Sequence, residues 1–403
     1  MARGPGLGPQ VGLLAGRRRV PPGMTLRAAR QPLPDAMRAL ALFAVLAVNA
    51  GGYLVAPWGA LLGERSPPDS GLASAVQGVT AALLQGKGYP MLAFLFGMGL
   101  VLATRGRGAI PSAQRGVRRQ KRLLKLGLLH GVFIYFGDIL TMYALVGWGL
   151  LARLHEPWRS LRSRLWRACW WALGVSAVTV AATAFFAAKA GLASLTGSSP
   201  EPTLAQAQGW LDFWQINAGA YLALQIPALL LFWPVLRLCM LGGVAAARLR
   251  LLTHRRWRPA LGRWTMRLAL PLLLLNVGYG VAYVQTEAGS QRLFLLEAAG
   301  SVVGPPLAWV YVMVLALAAR GGQAEWCRWL APLGQRTLTL YVGHGLLCVA
   351  LFTGVGIGLQ PGTAGMATFS VVLWCLAVVV ARASGSRRWP LEAWMARRPQ
   401  RQG

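Results

Sequence analysis

Ionisable side chains inside apolar sequence are costly, so each is a candidate for chemistry. Asp138 in FGDILTMYALVG, His130 in GLLHGVF and His344 in TLYVGHGLL interrupt otherwise apolar runs, as do the amides of Asn49 and Asn276. A neutral imidazole at membrane depth can act as a general base. A carboxylate there can hold a proton or a cation, and an asparagine can position a substrate. Counting inward from the nearest basic residue, Asn49 is eleven residues past Arg38, roughly 16 Å at the helical rise. His130 lies eight past Arg122 and His344 eight past Arg336, each roughly 12 Å. Asn276 lies nine past Arg267, roughly 13 Å. Four polar groups from four segments thus fall in one layer, and they line a cavity if their faces converge.

Each also has a purely structural reading. Asn49 and Asn276 can bond a neighbouring helix. His130 sits between Gly127 and Gly131, spaced for close backbone approach, so it can be a packing histidine. Asp138 can cap the helix that follows it, with Tyr143 five residues on. Thr337, Tyr341 and His344 fall on one helical stripe, which must face protein or water.

The elements that position these groups follow from composition. The 403 residues are 55% hydrophobic and only 13% charged, which excludes an ordinary soluble domain. Apolar runs at about 36–56, 88–104, 122–137, 139–153, 167–188, 218–246, 267–285, 297–319, 337–357 and 364–382 read as transmembrane helices. The class is all-α: a polytopic helix bundle of about ten spans. Lys and Arg number 41 against 11 Asp and Glu, and 36 of the 41 fall in alternate connections. By the positive-inside rule both termini are cytoplasmic, in a bacterial inner membrane. Because the basic residues are spread loop by loop and not over one face, nucleic acid is not a partner. Membrane lipid is, and the substrate is a small molecule or a lipid.

Residues 1–34 read as a disordered cytoplasmic tail, 35–260 as a membrane half of six helices, 261–385 as one of four, and 386–403 as a basic tail. The run 122–153 must cross twice on arms of roughly 23 Å, so Gly137-Asp138 should be recessed below the outer surface. The stretch 205–247 suggests a surface helix followed by a tilted span. Gly304-Pro305-Pro306 should kink or interrupt its helix. Glu297 reads as interfacial, with Arg292 as its nearest basic neighbour. The five cysteines, without CxxC or metal-ligand spacing, read as buried thiols, and no metal site is expected.

Several of these stretches resemble the YeiB-like family of bacterial inner-membrane proteins. PDAMRALALFAVLAVNAGGY is similar to that family's opening, RLLKLGLLHGVFIYFGDILTMYALVGWGLL to its middle, PLGQRTLTLYVGHGLL to its penultimate segment and WPLEAWMAR to its close. The Arg38…Asn49 helix more distantly resembles the first span of membrane acyltransferases, among them the lysosomal type that acetylates heparan-sulfate glucosamine. That likeness implies acyl transfer from acyl-coenzyme A, with Arg38 and Asn49 at the substrate. The sequence departs from it in having Ala39 at the glycine position and no histidine in 50–90.

Two function classes follow. One is an acyltransferase-like enzyme acting on a lipid or extracytoplasmic glycan, with His344, His130 and Asn49 as catalytic residues and Arg38, Asp138, Tyr143, Tyr341 and Asn276 binding substrate. The other is a transporter whose midplane layer and Asp138 hold the solute or coupling proton. A ligand-free membrane scaffold is the plain alternative.

Overall fold

Each of the ten apolar runs carries a helix in the computed structural model, which describes residues 32–57, 65, 68–104, 112–189, 202–288, 290–319 and 324–397. The α-helices in chain order are α1 (Pro32–Gly51), α2 (Gly71–Leu83), α3 (Gly88–Thr104), α4 (Ser112–Phe133), α5 (Leu140–Leu151), α6 (Trp158–Lys189) and α7 (Trp210–Leu249). They continue with α8 (Arg258–Gln285), α9 (Gln291–Ala318), α10 (Glu325–Gly334), α11 (Thr337–Phe352), α12 (Thr363–Ala383) and α13 (Pro390–Ala396). There is no strand among the described residues. Seven segments are long and apolar enough to cross a membrane: α1, Gly71–Ala103, Trp158–Phe185, α7, Arg255–Gln285, α9 and α12. The apolar α5 and α11 are shorter, and α4 begins in the basic sequence after Ser112. Trp170, Trp171, Leu222, Leu230 and Val379 are among the large apolar side chains left facing outward, as expected where lipid is the solvent.

Glycines set how closely the bundle packs. A β-carbon on Gly97 of α3 would overlap the Met240 carbonyl of α7, and one on Gly243 of α7 would overlap the Phe94 carbonyl of α3. These two helices therefore touch backbone to backbone. Gly334, at the end of α10, lies in the same way against the Asp35 carbonyl at the start of α1.

Two readings are revised, the division of 205–247 and the interruption at Gly304-Pro305-Pro306. The helix at 205–247 is not divided: after a short 3-10 turn at Leu204–Gln206, α7 runs for 40 residues through Pro227 and Pro234. Helix α9 likewise continues through Pro305 and Pro306. The interruption falls instead between α2 and α3, at Leu84–Lys87, where Gly86 takes a left-handed φ of 74°. That turn rests on Gly304, where a β-carbon would come 2.8 Å from the Gly86 carbonyl oxygen. The glycine of Gly304-Pro305-Pro306 thus makes room for a break in another helix. Glu297 reaches across to that break: both its oxygens accept from Gln85 Nε2 at 2.9 Å, and Tyr283 and Arg65 stand beside it. Of the expected N-terminal tail, Pro32–Pro34 already belong to α1, and 1–31 lie outside the described residues.

The segment read as a basic tail contains α13, which is docked. Arg122 of α4 donates to the Trp394 and Met395 carbonyls at 3.0 and 2.9 Å. Glu392 caps the first turn of α11, accepting from Leu338 and Thr339 N–H at 2.9 and 3.1 Å and from the Thr339 hydroxyl at 2.6 Å. A carboxylate there satisfies orphan donors and complements the helix dipole. Glu392→Ala should therefore cost about 1–2 kcal/mol, measured as a lowered melting temperature in nanodiscs. An unchanged melt would mean that water replaces the cap without loss.

Candidate functional site

Asp138 follows α4 at the turn into α5. Its Oδ2 accepts the Thr141 N–H at 2.8 Å, so it does cap α5, as its position suggested. It is also buried, with 1% of its surface exposed. Its other oxygen, Oδ1, stands 3.1 Å from His130 Nδ1 of α4. That is ion-pair distance, without the alignment of a good hydrogen bond. Gly127 permits this fold-back, since a β-carbon on it would lie 2.9 Å from Asp138 Oδ2. Capping and ion pairing therefore use different oxygens of one carboxylate.

On its far side His130 meets α11. Its ring lies 4.7 Å from that of Tyr341, and a β-carbon on Gly345 would come within 3.1 Å of Nε2. The Tyr53 hydroxyl donates to the Gly345 carbonyl at 3.4 Å. His344 lies close enough to interact with His130 electrostatically, and its Nε2 is 3.6 Å from Cys348 Sγ one turn on. The stripe Tyr341–His344 thus faces protein. Among the described residues, no three of His, Cys, Asp and Glu are grouped to hold a metal ion.

Asp138 also forms part of the wall of a cavity of about 270 Å³. Ala44, Val45, Val48 and Asn49 of α1 line it, with Leu84, Gly86, Gly88 and Tyr89 at the α2–α3 break. Opposite are Phe136 to Ile139, Met142 and Tyr143, and from α7 Leu224, Gln225, Ala228, Phe232 and Leu236. The wall is mostly apolar and aromatic. Its polar groups are Asp138, Asn49, Gln225 and the two tyrosines. Gln225 Nε2 and the Tyr89 hydroxyl are buried without hydrogen-bond partners. The Tyr143 hydroxyl donates to the Tyr89 carbonyl at 2.6 Å and so ties α5 to the start of α3.

The expected layer is therefore only partly gathered. Asn49, Asp138 and Tyr143 line the cavity. His130, His344 and Tyr341 cluster behind it and touch it through Asp138. Arg38 is elsewhere, donating to Asp35 Oδ1 at 2.7 Å and to the Leu95 carbonyl at 3.3 Å. Asn276 is buried against α9 and donates to the Leu272 and Val303 carbonyls at 2.8 and 3.3 Å, the helix-bonding role its residue type allowed. Equal depth does not imply a shared face, because depth fixes position along the helix and leaves rotation free.

Two residues escaped sequence reasoning. Asn217 of α7, fully buried, donates to the Gly131 and Val132 carbonyls at the end of α4, at 2.9 and 2.8 Å. Tyr221, one turn on, bonds Thr141 Oγ1 at 2.9 Å and packs its ring over Gly131. Together they hold the α4–α5 turn, and hence Asp138, in place. The signal was an asparagine and a tyrosine one turn apart at the edge of an apolar run.

Residues 246–394 match the model of a family described as "Protein of unknown function (DUF418)". This runs from the end of α7 into α13 and includes Tyr341, His344 and Glu392, and it is consistent with the YeiB-like resemblance. The chain is also 32% identical over 136 residues to the Bacillus subtilis (strain 168) protein named "Uncharacterized protein YxaH". That alignment covers 32% of this chain and 33% of the relative, so the chain spans about a third of the length of the curated relative it matches. Neither name carries an activity.

Proposed function

We propose that the chain is a ten-span inner-membrane transporter with both termini in the cytoplasm. On this reading it binds a small amphipathic molecule in the cavity beside Asp138. The observation that carries this reading is a buried carboxylate in the wall of an apolar cavity whose other side is an interrupted helix. Interrupted helices at substrate sites are a recurring device of membrane transporters. Access from the bilayer is supported by Val48, which lines the cavity and is also 36% exposed. The lining residues Leu224 and Gln225 are flanked on α7 by the outward-facing Leu222 and Ile226.

The Asp138–His130 pair favours a second reading, acyl transfer, because a carboxylate fixes the tautomer of an imidazole base. Against it, His130 Nε2 faces Gly345 and not the cavity. Among the described residues, no basic side chain lines the cavity to hold the phosphates of acyl-coenzyme A. The residues present do not fit that donor, although an acyl chain alone would fit the wall.

The test is equilibrium binding of 1-aminoanthracene, an amphipathic fluorophore, to protein in nanodiscs. Ala228→Trp fills the cavity and should weaken binding at least tenfold, with the melting temperature as folding control. Equal binding by wild type and Ala228→Trp would remove the cavity from consideration. Acyl transfer from labelled palmitoyl-coenzyme A to lipid, lost in His130→Gln, would put the enzymatic reading first.

A further inference from the structure

Among the described residues, the cavity wall contains one carboxylate and no basic side chain. Asp138 is its carboxylate, and Phe136, Tyr89, Tyr143 and Phe232 place aromatic rings around it. Carboxylate and aromatic faces both attract cations, most strongly where water is excluded, and no described residue of the wall would neutralise an anion. The counter-charge to Asp138 comes from behind the wall, from His130 at 3.1 Å. His130 can supply it only when protonated, and its own ring does not line the cavity.

Building on the cavity reading above, we infer that the ligand class is a monovalent organic cation with an apolar body, and that it competes with protonated His130 for Asp138. One carboxylate cannot fully pair with both. When the cation docks, the His130 imidazolium gives its proton to water and becomes neutral. When the proton returns, it takes back the carboxylate and the cation leaves. No bond to the ligand is made or broken, and one positive charge replaces another. Binding of the two cations is mutually exclusive by linkage, which is the thermodynamic requirement for proton-for-cation exchange.

The groups facing the pair leave this competition intact. They are Tyr221 from α7, Tyr341 and His344 from α11, Tyr53 in the turn after α1, beside Gly345, and Thr141 on α5. The tyrosines and Thr141 are neutral hydroxyl groups. His344 is the one among them that gains charge in acid, and its charge would oppose protonation of His130. The competition should therefore show as one proton, not two.

The test uses benzyltrimethylammonium, whose charge does not titrate, beside its uncharged carbon isostere neopentylbenzene. Both are measured against protein in nanodiscs, with empty nanodiscs as the partition control. The cation should bind more tightly as pH rises, by up to tenfold per unit across the range in which His130 loses its proton, while the isostere should show no pH dependence. Calorimetry in buffers of different ionisation enthalpy should find about one proton released per cation on the acid side of that range. Asp138→Asn keeps an oxygen to cap Thr141. It should weaken the cation at least thirtyfold and leave the isostere unaffected, which also shows that the variant is folded. His130→Gln should bind the cation with an affinity independent of pH.

Equal binding of cation and isostere, or a pH slope that survives His130→Gln, would overturn the inference and leave the cavity reading standing. If neither probe bound and 1-aminoanthracene also failed, both would fall.

Discussion

Valine at position 243 is expected to leave no folded protein to purify. Gly243 of α7 and Gly97 of α3 lie where the two backbones meet. A β-carbon on Gly243 would overlap the Phe94 carbonyl and stand 2.9 Å from the Met98 nitrogen, and one on Gly97 would overlap the Met240 carbonyl. The obstacles are main-chain atoms inside helices and cannot rotate away as a side-chain tip would. Either the helices separate by about the width of a methyl group, or the substitution fails. Separation would loosen Phe94, Met98, Met240 and Val244, all buried in one cluster. Overpacking typically costs 1–3 kcal/mol where side chains can adjust, so a rigid backbone obstacle should lie at or above the top of that range. Gly243→Ala should show a smaller loss and Gly243→Val the full one, read as the yield of monodisperse protein and its melting temperature. By contrast Gly149 and Gly278, which have open space at the β-position, should accept alanine with little change. If Gly243→Val purified and melted like wild type, the close α3–α7 contact would be wrong, and the cavity wall built on those helices with it.

The all-helical class and the helices of the ten apolar runs were legible in the sequence because apolar length is a one-dimensional property. The burial of Asp138 is consistent with its place at a turn between two apolar runs, and the carboxylate is 1% exposed. The first arm, however, is longer than its apolar run suggested, since α4 starts in the basic sequence at Ser112 and runs for 22 residues. What could not be read is rotation. Asn49 and Asn276 sit at comparable depths, but one turns to the cavity and the other to the Val303 carbonyl. The interruption of α2–α3 was hidden for another reason. Segment 71–87 mixes alanine and glycine with Ser, Thr, Gln and Lys, which weakens its apolar signal beside that of α3, and its break depends on Gly86 meeting Gly304 over two hundred residues away. Gly304-Pro305-Pro306 looked like a break because proline removes helical donors. Yet α9 stays continuous, since only the carbonyls one turn back lose partners.

Lys87→Met is expected to raise stability. The lysine ends the interrupted turn, 2% exposed. Its ammonium is held by the Ala81 carbonyl at 2.8 Å and lies 5.6 Å from the centre of the Tyr279 ring. It has no ion pair with a described carboxylate. One carbonyl at the negative end of α2 and one aromatic face replace little of the water that a charge loses on burial. In the unfolded chain the same side chain can reach the membrane surface. Methionine has nearly the same length and no charge, and the Ala81 carbonyl it leaves is a smaller loss than the buried cation. The gain should be on the order of 1–3 kcal/mol, seen as a higher melting temperature. Residues that cost stability persist where function needs them, and Lys87 adjoins Gly86 and Gly88 in the cavity wall. The stabilised variant should therefore show weaker or slower ligand exchange. A melting temperature that falls instead would mean that the ammonium's contacts outweigh its desolvation. Lys87 would then be a helix cap, and the turn between α2 and α3 a fixed corner of the fold with no part in moving a ligand.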